Sequence, residues 1–88
     1  MSNRGKEWEK FNDIVKDHIE NYTIPQYGDM PNDQMTTASL DDIKHDIQRY
    51  LNRMGRNARG LEQALRDMVK VAHYACIAYN KIVEKVKE

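Results

Sequence analysis

Residues 68–79 read Met-Val-Lys-Val-Ala-His-Tyr-Ala-Cys-Ile-Ala-Tyr, a stretch that is apolar on almost every side of a helix. A helix that is apolar all round must be covered all round. The segment around it keeps helical period from Leu61 to Lys87, so the fold is decided by what lies on the flanks of one long third helix. Leu61, Leu65, Met68, Ala72, Cys76, Tyr79, Val83 and Val86 fall close to one line at about 100° per residue, and this is the expected core stripe. A second stripe of Val71, Tyr74, Ile77 and Ala78 lies far around the same helix. Either two other helices flank the third on both sides, or a second subunit covers what they leave. A homodimer through the third helix is favoured, with Val71, Tyr74, Ile77 and Ala78 at the interface; a hetero-complex would need the same composition.

Upstream, Trp8, Phe11, Val15, His18 and Tyr22 recur at steps of three and four and predict a first helix over about 5–22, with Asn3 as N-cap and Pro25 as terminator. From Thr23 to Ser39 both prolines, a Tyr-Gly-Asp turn and scattered apolar residues predict a long ordered connector. Ser39 followed three residues later by Asp42 has the form of a capping box, and Leu40, Ile43, Ile47, Tyr50, Leu51 and Met54 carry a second helix over about 40–54. Gly55 and Gly60 bracket a turn before the third helix, over about 61–87. The expected fold is all-α: three helices in a single domain, 1–88, with the third longest and central.

An 88-residue chain buries only about 60–65% of the surface it exposes when unfolded, a narrow margin that association would widen. The one cysteine, Cys76, rules out an internal disulfide and suits a reducing cytoplasm. Neither a leader nor a membrane span is expected, because no run approaches the necessary apolar length. Net charge is zero but divided: residues 1–48 hold five Lys/Arg against ten Asp/Glu, and residues 49–88 hold nine against four. Such opposed halves favour packing on each other, within one subunit or between two.

Chemistry-bearing clusters are few. Asp42, His45 and Asp46 have the spacing at which carboxylate and imidazole share a metal, but His45 points away from the stripe of its helix and no second cluster completes a site, so no metal or other cofactor is expected. His18 and His73 are lone histidines on apolar faces, and with serines only at positions 2 and 39 no nucleophile partner can be named; an enzyme is disfavoured. Arg49, Arg53, Arg56, Arg59 and Arg66 straddle the turn between the second and third helices, with no acid between Arg49 and Arg59. Guanidinium forks beside the start of a helix suit phosphate, unless they are spent on acids of the front half such as Asp13, Asp17 or Glu20.

Tyr50-Leu51-Asn52-Arg53, the glycine-flanked basic turn, and Asp67-Met68-Val69-Lys70 followed by Tyr74 resemble small phage and prophage proteins over roughly residues 47–79. Most such proteins are uncharacterised, and at least one relative is described as a nucleotide kinase without a Walker motif. The resemblance implies Arg53, Arg56, Arg59 and Lys70 near nucleotide phosphates. The chain departs from that pattern with Val71 where alanine usually follows the lysine, and with a longer front segment. Two functions stand from the sequence: a binding or assembly module that homodimerises through the third helix, and a protein that binds nucleotide or nucleic-acid phosphate through Arg49, Arg53, Arg56, Arg59 and Lys70.

Overall fold

A computed structural model describes residues 1–29, 38–54 and 60–87. The described residues form helices and no strands: α1 (Asn3–His18), a wide turn of π-helix (Ile19–Thr23), α2 (Ile24–Tyr27), α3 (Leu40–Met54) and α4 (Leu61–Lys87). The second and third helices expected from the sequence are α3 and α4, with the expected bounds.

The first helix differs at both ends. Ser2, and not Asn3, is the N-cap, its Oγ accepting the Gly5 N–H at 3.0 Å, while Asn3 already belongs to the helix. Pro25 does not terminate it either. The chain ahead of the proline winds wider, with the Ile24 N–H bonding the Ile19 carbonyl five residues back, and this opens the preceding turn to the pyrrolidine ring. Helix then continues through Tyr27 and stops at Gly28, whose φ of 85° is the left-handed conformation that a glycine C-cap adopts readily. The connector expected from residue 23 is thus helical to Tyr27, and its residues 30–37 lie outside the described ones.

At the head of α3 the capping box closes as the spacing suggests. The Asp42 N–H donates to Ser39 Oγ at 3.1 Å, and the Ser39 N–H donates to an Asp42 carboxylate oxygen at 3.2 Å. From there α3 lies along α4, and α1 touches α4 from the side. Ile43, Tyr50 and Val69 are the buried apolar side chains among the described residues.

The face of α4 that meets α3 differs from the sequence expectation. Leu61, Leu65, Tyr79 and Val86, expected in the core, are 73, 70, 68 and 80% exposed and Cys76 beside them is exposed, while Met68, Ala72 and Val83 of the same stripe are half-buried. The inward face instead carries Asp67, Lys70, Tyr74 and Ile77, and Asp67 is only 1% exposed. The cause is a polar residue on the buried side. Asp67 makes that stripe look solvated, but Arg53 and the Gln63 amide reach it, so its charge is partnered in the interior. No helix among the described residues is long and apolar enough to cross a membrane.

Candidate functional site

Tyr50, one turn from the end of α3, is the hub around which the charged residues gather. Its ring lies 5.9 Å from that of Tyr74 on α4, the two planes 27° apart. Three cations surround the same ring: the Arg49 guanidinium at 5.1 Å, that of Arg53 at 5.4 Å and the Lys70 ammonium at 5.3 Å from the centroid. Burial first, and then the neighbouring Tyr50 phenol and Asp46 carboxylate, push the Tyr74 phenol up to about 12.

The arginines expected to hold phosphate are placed as follows. Arg53 lies 3.7 Å from Asp67, to which Gln63 Nε2 also donates at 3.1 Å. Arg49 lies 3.4 Å from Asp46 and donates to the Tyr50 hydroxyl at 3.5 Å. The acid that occupies Arg49 thus belongs to the acidic half of the chain, residues 1–48, while the one that occupies Arg53 comes from α4 in the basic half. Arg56 and Arg59 lie outside the described residues, and Arg66 is exposed on the first turns of α4.

Lys70 has a different position. Together with Tyr50, Thr23 and Tyr74 it bounds a cleft of about 210 Å³ between the end of α1 and the α3–α4 pair. His18 and His73 form its walls, and Tyr22, Gln26 and Tyr27 form its rim. His18 stacks on Tyr22 with centroids 5.6 Å apart. Burial, helped by the positive charge of Lys70 and opposed by Asp17, holds the His18 imidazole below its ordinary value. Among the described residues no carboxylate lines the cleft. The sequence located Lys70 but not this company. His18 and Tyr22 share a stripe, as do Lys70 and Tyr74, yet nothing in the chain says that the two stripes face each other.

Of the four residues proposed for a dimer interface, Tyr74 stacks on Tyr50 within the chain, Ile77 lines a shallow groove with Ala38 and Leu40, and Val71 and Ala78 are half-buried. The free apolar surface of α4 is on the opposite side. Asp42 is engaged at the cap of α3 and Asp46 with Arg49, while His45 is exposed; among the described residues no three side chains are grouped to hold a metal ion. No family model, curated protein or solved structure matches the chain.

Proposed function

We propose that this protein is a helical assembly module that pairs with a second copy of itself through the outward face of α4. The observation that carries the proposal is the row Leu61, Leu65, Tyr79 and Val86, exposed on one side of a helix of 27 residues. Solvated apolar rows of about 40 Å are costly to leave uncovered.

A second copy fits this face in one orientation best. About a twofold axis, antiparallel helices bring the first turns of one against the last turns of the other, with residues of the same flank opposed. Leu61 and Leu65 then meet Val86 and Val83, Met68 meets Tyr79, and the small side chains of Ala72, Ala75 and Cys76 lie at the axis, where they allow close approach. On one flank Glu62 comes opposite Lys87 and Arg66 opposite Glu84. A parallel pair would bring opposite flanks together and set none of these charges against its complement. A reducing cytoplasm, which would keep the two Cys76 thiols at the axis unbridged, belongs to the same proposal.

Light scattering coupled to size exclusion tests it. The natural protein is expected at twice the chain mass, and Leu65→Glu with Tyr79→Glu at the chain mass with its helix content intact. Tyr74→Glu should instead lower stability, because its ring is spent within the subunit. A natural protein that remains at the chain mass at high concentration would sink the reading.

A further inference from the structure

We propose that the cleft beside Lys70 binds a small oxyanion, with a phosphate monoester as the chemistry that fits it best. Lys70 supplies three donors and no acceptor, the Thr23, Tyr22 and Tyr27 hydroxyls and the Gln26 amide can each donate, and among the described residues no carboxylate lines the cleft to repel an anion. Among the described residues Lys70 makes no ion pair; its one partner is the face of the Tyr50 ring, a weak neighbour for an ammonium group. Arg49 and Arg53, by contrast, already hold carboxylates. The positive charge that the described residues leave for a ligand on this side of α3 and α4 is therefore that of Lys70.

Size sets the class. About 210 Å³ accommodates a phosphate group and a small substituent. The aromatic rim of Tyr22 and Tyr27 gives the substituent an apolar surface, so an aryl or other flat ester is favoured over bare phosphate. The anion sits beside His18 as well. Burial first and then the charge of Lys70 disfavour the imidazolium, and an anion, whose charge opposes that of Lys70, favours protonation of the ring. The dimer face is on the other side of α4, and the proposal stands whether or not the protein pairs.

Histidine and amide NMR of the full chain, titrated with inorganic phosphate and with phenyl phosphate, tests it. Saturable shifts are expected at His18, Thr23 and Tyr74, tighter for phenyl phosphate, with the His18 titration midpoint moving upward in the saturated protein. Lys70→Ala should weaken binding at least tenfold, Lys70→Arg should largely retain it, and Lys44→Ala, on the exposed side of α3, should leave it unchanged. Circular dichroism melts establish that each variant is folded, and Lys70→Met, which keeps the apolar stem, replaces Lys70→Ala if that variant is not. Shifts confined to Arg49 and Arg53, a His18 midpoint that does not move, or equal affinity in the folded neutral variant would overturn the proposal. Binding lost in the Lys70 variant while its mass stays that of the natural protein would support the cleft and leave the assembly reading untouched.

Discussion

Asp67 shows how one residue decides what its neighbours can do. It is buried to 1% exposure, while Arg53 keeps about a third of its side chain in water. The pair is therefore asymmetric. Removing Arg53 leaves a buried carboxylate with the Gln63 amide as its named partner, whereas neutralising Asp67 leaves a guanidinium that can turn to solvent. Arg53→Met is expected to cost about 1–3 kcal/mol in urea unfolding, and Asp67→Asn, which keeps the shape and the amide contact, less than that. The reverse order would show that Arg53 is not the partner that makes burial of Asp67 tolerable. It follows that loss of anion binding in an Arg53 variant would not identify Arg53 as a ligand: the substitution disturbs the Tyr50 and Asp67 packing beneath the cleft. Lys70, with no carboxylate to release among the described residues, is the cleaner probe.

At the scale of the element, what was legible depended on whether the signal was local. The start of α3 was written in Ser39 and Asp42, because a capping box needs only one turn of backbone and its own two side chains. Ser39→Ala is expected to cost about 1 kcal/mol, and Asp42→Ala a similar amount, with the double variant costing less than their sum because each residue completes the other's hydrogen bond. Thermal melts followed by circular dichroism measure this, and full additivity would mean that the two bonds act independently. The extents of α3 and α4 were equally legible from period. The inward face of α4 was not, since it carries Asp67 and Lys70 among its apolar residues, and the Arg53 that makes burial of the carboxylate tolerable stands on another helix. Pro25 misled for a related reason: a proline forbids the ordinary helical bond, but the wider turn from Ile19 to Thr23 is a tertiary accommodation with no mark in the sequence. The cleft was the least legible feature, because it joins residues on α1 and α4 that are far apart in the chain and whose only common property is the surface they share.

For the molecule as a whole, the core is small: among the described residues Ile43, Tyr50 and Val69 are the buried apolar side chains. Such a fold gains from a partner, and the charge pattern on α4 says how that partner should lie. If the pair is antiparallel, Glu62→Lys sets the introduced ammonium against Lys87 twice in each dimer, and Lys87→Glu sets Glu62 against the introduced carboxylate twice. Exposed pairs contribute about 0.2–1 kcal/mol each, so either variant should weaken the dimer by roughly two- to thirty-fold, and the double variant should recover most of the loss. In a parallel pair opposite flanks meet, so Glu62 and Lys87 do not face each other across the contact and neither single variant should change the affinity. Sedimentation equilibrium at low salt distinguishes the two, and raising the ionic strength should shrink the differences, because charges on a solvated flank are screened while the apolar row between them is not. Weakening by both single variants with recovery in the double would fix the direction of the helices; unchanged affinity throughout would overturn the antiparallel arrangement while leaving the apolar face of α4 as the contact.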